Sequence, residues 1–233
     1  MTNARSIIEK ALQEGRKILF EHEAKALVHT AGVVVPRHVV VVPDDERAVV
    51  TAGEKLGFPL VLKAVSPAIV HKTEAGAVMV NITTSEALTD AIQSMKRIIA
   101  AQAPGAEIHA FLLEKMLPLG LEVLIGVVRD SQFGPSVSFG LGGIWVEAIK
   151  DVAFGILPMT HEEISDMIAQ TRAALFLKGF RGTPPFDEEA LHLIIANLTK
   201  LVDDHPEIRE LELNPVRVYE HGAAALDARV ILA

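Results

Sequence analysis

Leu60-Val61-Leu62-Lys63-Ala64-Val65 is the stretch from which the fold can be read. It is apolar except for one lysine and is bounded by Pro59 and by Ser66-Pro67, the pattern of a short buried strand. A connection of about twelve residues separates it from a second strand, Val78–Ile82, which is long for a plain link in a compact domain. Upstream, Asp44–Leu56 has helical periodicity, with Asp44 as a candidate N-cap and Gly57 as a stop. Before it, Val33–Val35 and His38–Val42 are β-branched runs closed by Pro36 and Pro43. Downstream, Thr84–Ala101 is an amphipathic helix capped by Thr84 or Ser85, and Ile108–Glu114 is a strand. Residues 33–116 therefore predict β-α-β-β-α-β, a split βαβ pattern with two helices on one face.

The flanks extend this α/β (α+β) reading. Ala4–Ala31 has helical spacing punctuated by Gly15 and closed by Gly32. Leu121–Val128 is apolar apart from Glu122, the pattern of a strand buried on both faces. Ser136–Phe139 and Ile144–Val152 read as strands around Gly140-Leu141-Gly142-Gly143. Thr160–Gln170 and Asp187–Asp203 read as helices, and Thr160 with Glu163 has capping-box spacing. Arg209–Val218 and Ala223–Leu226 form a hairpin around His221-Gly222. The expected organisation is N-terminal helices over 1–32, one subdomain over 33–113 and a second over 114–233.

Composition bounds the function. The chain has 233 residues, half of them hydrophobic and 22% charged, which excludes disorder as the main state. With no cysteine, thiolate metal sites, iron–sulfur clusters and cysteine nucleophiles are excluded. A net charge of −8 argues against nucleic acid as the main partner. No apolar run approaches the roughly 18–20 residues of a membrane span, and Met1–Lys10 lacks the apolar core of a signal peptide. A cytoplasmic location is expected.

Four groups of residues carry candidate chemistry. Glu212 and Asn214 are two apart on a strand and share a face. A two-residue turn at His221-Gly222 would set Asp227 opposite Val216 and diagonal to Asn214, on that same face. Three oxygen side chains so placed suit Mg²⁺, and they equally suit the solvated face of an edge hairpin. Lys63 is a candidate phosphate partner or a snorkelling surface lysine. Glu122, in an otherwise apolar strand with Glu114-Lys115-Met116 just before it, needs a hydroxyl, a cation or a structural arginine. His71 sits in the long connection, where histidine can serve as a covalent nucleophile or simply as a loop residue. Gly140–Gly143 matches neither glycine-rich phosphate-loop fingerprint.

Taken together, Phe58–Lys63, the Val70–Val78 histidine loop, Glu114-Lys115-Met116, Gly140–Gly143, and Glu210–Pro215 with Leu226–Arg229 resemble the ATP-grasp domain of the NDP-forming acyl-CoA synthetases. The similarity is strongest to β subunits of the ADP-forming acetate–CoA ligase type, acid–thiol ligases, and it runs from about residue 20 to the C-terminus. It implies two α/β subdomains gripping a nucleotide, and the reaction acyl-CoA + ADP + phosphate ⇌ carboxylate + CoA + ATP. By resemblance, His71 relays a phosphoryl group from a partner's phosphohistidine to ADP. Lys63 contacts phosphate, Glu114, Lys115 and Met116 form the adenine hinge, and Glu122 meets ribose. Glu212, Asn214 and Asp227 hold Mg²⁺, with ADP/ATP as substrate. The CoA-binding and acyl-phosphate-forming domains would reside on an α partner, usually in an α2β2 assembly.

Three other readings compete. Succinyl-CoA synthetase β subunits share the Leu-x-Asn-Pro…Asp pattern but normally continue well beyond the position of Asp227. A stand-alone carboxylate–amine ligase needs no phosphohistidine. A regulatory nucleotide-binding module would be expected to have lost one or more of Lys63, His71, Glu212, Asn214 and Asp227, all of which are present.

Overall fold

A computed structural model of the chain describes residues 3–66, 69, 75–143 and 151–233. The chain divides into two compact units, one of residues 36–118 and one joining 1–35 to 119–233.

The unit of 36–118 follows the β-α-β-β-α-β pattern. Its elements are β1 (His38–Val41), α3 (Glu46–Leu56), β2 (Leu60–Val65), β3 (Val78–Ile82), α4 (Ser85–Gln102) and β4 (Ala110–Lys115). The strands form an antiparallel sheet of order β1-β4-β2-β3. Alternation decides its core. Leu60, Leu62 and Ala64 of β2 and Phe111 and Leu113 of β4 point to one side, against Val49 of α3 and Leu88, Ile92, Met95 and Ile99 of α4. Each fully buried Leu or Ile of this kind contributes roughly 1.5–3 kcal/mol. The cap of α3 is Asp45, one residue beyond the expected Asp44, its carboxylate accepting from Ala48 N–H. Thr84 caps α4 as expected. Val33–Val35 forms no strand; Val34 C=O accepts from Ala225 N–H instead. Pro36 offers no donor to continue a ladder there.

The other unit holds α1 (Ala4–Gln13), α2 (Glu21–Thr30), β5 (Leu121–Asp130), β6 (Gly134–Leu141), β7 (Val152–Ile156), α5 (His161–Ala169), α6 (Ala173–Leu177), α7 (Glu188–Asp204), β8 (Ile208–Val218), β9 (Ala223–Ala225) and β10 (Ala228–Leu232). Its six-stranded antiparallel sheet runs β10-β8-β5-β6-β7, with β9 also on β8. Val123, Ile125 and Val127 of β5, Val137 and Phe139 of β6, and Leu211, Leu213, Val216 and Val218 of β8 face the helices. Two expectations shift here. The helices of 1–32 pack into this core through Ile7, Ile8, Leu27 and Val28 rather than standing as a segment of their own. The boundary falls after Pro118, not at 113/114, because Glu114 and Lys115 are the last rungs of β4. The strand expected over 144–152 lies mostly outside the described residues, and β7 itself begins at Val152.

Candidate nucleotide and metal site

The hairpin of β8 with β9 and β10 is built around a bulge. Val123 pairs with Val216 and Ile125 with Leu213, so Asn214 and Pro215 together oppose the single residue Leu124. On β8 the core-facing residues are therefore Leu211, Leu213, Val216 and Val218, with a step of three across the bulge. Glu212, Asn214 and Arg217 are left on the other face, which also carries Glu122.

The register differs from that of a two-residue turn. Val216 pairs with Ala225 and Val218 with Ala223, so four residues, 219–222, make the turn. Ala228 pairs with Leu213 in the same register beyond the break, which sets Asp227 level with Asn214 rather than diagonal to it. The shift is two residues, an even number, so the shared face of Glu212, Asn214 and Asp227 survives it. Val216 turns to the core instead. The edge strand is interrupted at Leu226-Asp227, where Leu226 N–H donates to Pro215 C=O and the proline has no N–H to return.

Each oxygen is oriented. Gly143 N–H donates to Asn214 Oδ1 (3.1 Å), and Asn214 Nδ2 donates to Glu212 Oε1 (3.5 Å). Asp227 Oδ1 accepts from Ala228 N–H (2.7 Å). Two carboxylates and one amide oxygen, half-buried or exposed, are the hard donors that Mg²⁺ selects. The residues present therefore fit that ion. Among the described residues no cluster of three or more His, Asp and Glu forms a further metal site.

Glu122 takes the structural-arginine option. Arg217 Nη2 donates to Glu122 Oε1 at 2.5 Å, from the position directly opposite on β8. Arg217 also bonds Tyr219, whose hydroxyl pKa burial pushes up while the arginine opposes the rise. Gly143 closes over this pair with φ at +61°, where a Cβ would lie 2.3 Å from Glu122 Oε2. Sequence reasoning missed Arg217 because strict alternation puts residue 217 on the core face, and it passed over Gly143 because the glycine run fits no phosphate-loop pattern. The bulge and the positive φ supply the missing signals.

In the 36–118 unit, Lys63 and Glu114 stand diagonally on β2 and β4, on the face away from the helices. Lys63 Nζ lies 3.0 Å from Glu114 Oε2, with side chains 8% and 3% exposed. Lys63 is thus no snorkelling surface residue. Glu114 holds the lysine. Lys115 Nζ donates to the carbonyls of Gly57 (3.0 Å) and Phe58, and Met116 N–H donates to Pro59 C=O (3.1 Å). The hinge residues are thereby tied to the start of β2. His71 lies outside the described residues.

The ATP-grasp domain family matches residues 10–232. The β subunit of ADP-forming acetate–CoA ligase I of Pyrococcus furiosus is 43% identical over 100% of this chain and 99% of its own. The chain belongs to the family of ADP-forming acetate–CoA ligase β subunits. As a ligase β subunit it has single-chain relatives: ADP-forming acetate–CoA ligase I of Archaeoglobus fulgidus is 37% identical over 98% of this chain but only 33% of its own length. The dinucleotide-forming acetyl-coenzyme A synthetase 1 of Ca. Korarchaeum cryptofilum, solved with coenzyme A, Ca-AMPCP and HgCl⁺, superposes with a TM-score of 0.93 at 38% identity, covering 99% of this ligase subunit and 100% of that chain. In another complex of that protein, with Mg-AMPPCP, a phosphohistidine segment points towards the nucleotide-binding site.

Proposed function

We propose that this ligase subunit binds ADP/ATP with Mg²⁺ and passes phosphoryl groups between the nucleotide and a phosphohistidine on its α partner. The net reaction is acyl-CoA + ADP + phosphate ⇌ carboxylate + CoA + ATP. The observation that carries the reading is the bulged hairpin, which brings Glu212, Asn214 and Asp227 to one face with their oxygens oriented.

Phosphoryl transfer is mostly positioning and charge neutralisation. Mg²⁺ held by Glu212, Asn214 and Asp227 would neutralise phosphate charge. Lys63 supplies a fixed cation for a phosphate oxygen, and Glu114 holds its ammonium in place. Glu122, braced by Arg217, presents its carboxylate to a ribose hydroxyl. Lys115 and Met116 hold the adenine-reading segment against β2. His71 is the relay: its imidazole nitrogen attacks phosphorus as the partner's P–N bond breaks, and a β-phosphate oxygen of ADP then takes the group as the His71 P–N bond breaks. The β-subunit name of its relatives, and single-chain relatives about three times its length, support an α partner, and the family resemblance implies an α2β2 assembly. No helix among the described residues is long and apolar enough to cross a membrane, in keeping with a place in the cytoplasm.

The test is incubation with Mg²⁺ and γ-labelled ATP, with and without the α partner, beside His71→Ala. Acid-labile, alkali-stable label on His71 that discharges on adding ADP is expected. An unlabelled wild type in the presence of a competent α partner would rule out the relay.

A further inference from the structure

The sheet face that carries the metal hairpin continues past it to an exposed apolar surface for which the nucleotide has no use. Gly126 pairs with Glu212 on one side and with Ser138 on the other, and Ser138 pairs with Phe154. Cross-strand partners share a face, so one row runs Glu212–Gly126–Ser138–Phe154. The next row runs Glu210–Val128–Ser136–Ile156. Phe154 is 73% exposed, Ile156 57% and Val128 46%, and Phe133, at the β5–β6 turn, is 66% exposed.

Charge marks this surface as well. The thirteen residues of β6 and β7 include no Asp, Glu, Lys or Arg, whereas 22% of the chain is charged. Among the described residues β7 is an edge strand, and exposed edges are ordinarily guarded by charges, proline or a bulge. An edge strand without charged side chains, beside exposed aromatic and aliphatic side chains, is the signature of a surface covered in the working protein.

We propose that this surface, centred on Phe154 and Ile156 with Val128 and Phe133 at its margin, docks the α partner. The inference rests on the nucleotide reading above and names where its second half binds. Two observations favour α as the occupant. In single-chain relatives the matched region is about a third of the polypeptide, so a domain like this one has a permanent neighbour in those proteins. The surface is also on the right face at the right distance. Strands stand about 4.8 Å apart, so three ladder steps set Phe154 about 14 Å from the row position of Glu212. Among the described residues of this sheet row, only the low side chains of Gly126 and Ser138 lie between. A second copy of this chain on the patch would put another nucleotide subunit where the phosphohistidine must arrive.

The test uses the separately purified chain and its cognate α chain. Dissociation constants for α are measured by sedimentation for wild type, Phe154→Asp and Ile156→Lys, and Mg-ADP affinity is measured on each chain alone. Both side chains are exposed, so the variants retain the core, which circular dichroism and Tm confirm. The expected result is at least a tenfold weaker α association with unchanged Mg-ADP affinity. Wild-type α affinity in both variants overturns the proposal. So does a chain that self-associates in wild type, becomes monomeric in the variants and still binds α normally. If the wild-type chain fails to bind Mg-ADP with or without α, the nucleotide reading falls, while the α comparison still reports on the patch.

Discussion

Lys63 and Glu114 show how one residue can carry both a binding role and a stability cost. A buried ion pair gains little over a well-packed apolar pair, but removing one partner strands the other charge in a low-dielectric setting. Glu114→Gln should therefore lower stability by up to about 3–5 kcal/mol, read from urea midpoints, by removing the carboxylate charge that faces the buried Lys63 ammonium. The Lys63→Met, Glu114→Leu double variant should recover most of that stability while nucleotide affinity remains lost. If the double variant regains nucleotide affinity as well, Lys63 is structural only. Lys63 was legible in the sequence as a charge inside an apolar strand. Its partner was not, because the pairing of β2 with β4 joins residues 51 positions apart.

At the scale of elements, α5 and α7 meet through two imidazoles. His161 and His192 have ring centroids 3.9 Å apart, and His161 Nε2 bonds Glu189 at 3.0 Å. His192 is 5% exposed, faces Ser165 Oγ at 3.3 Å and Glu188 at 3.8 Å, and its Nδ1 has no hydrogen-bond partner among the described residues. Burial, aided by His161, pushes its pKa below the usual 6.5, with Glu189 and Glu188 opposing. The unfolded chain therefore takes up this proton first. The contribution to stability is complete above the unfolded value and is lost as pH falls through 6.5 toward the lower folded value. The urea midpoint should drop between pH 7.5 and 5.5, and His192→Phe should drop less over the same range. An equal drop in both would place the proton elsewhere. The capping box of Thr160 and Glu163 that starts α5 was readable from spacing alone. The histidine contact was not, since it depends on how two helices cross.

For the molecule as a whole, the prediction concerns division of labour. The chain alone should bind Mg-ADP yet form no ATP from acyl-CoA and phosphate, and adding the α chain should start turnover. A coupled assay for ATP checks this, and turnover by the chain alone would show that the acyl half of the reaction is carried here.

The order of elements, the split βαβ pattern, the helix caps and the alternation of apolar residues are local properties, and the amino-acid sequence determined them because each depends on neighbours within a few residues. Family membership was legible for a related reason: several modest motifs stood in a fixed order. Only the tertiary structure decided which charges meet. The bulge at Asn214-Pro215 inserts one residue into β8, reverses the facing of everything after it, and so brings Arg217 to Glu122 and turns Val216 inward. A strand's own sequence records its alternation but not the partner against which the extra residue is counted. That partner, β5, lies about ninety residues away, and only the folded sheet brings it alongside.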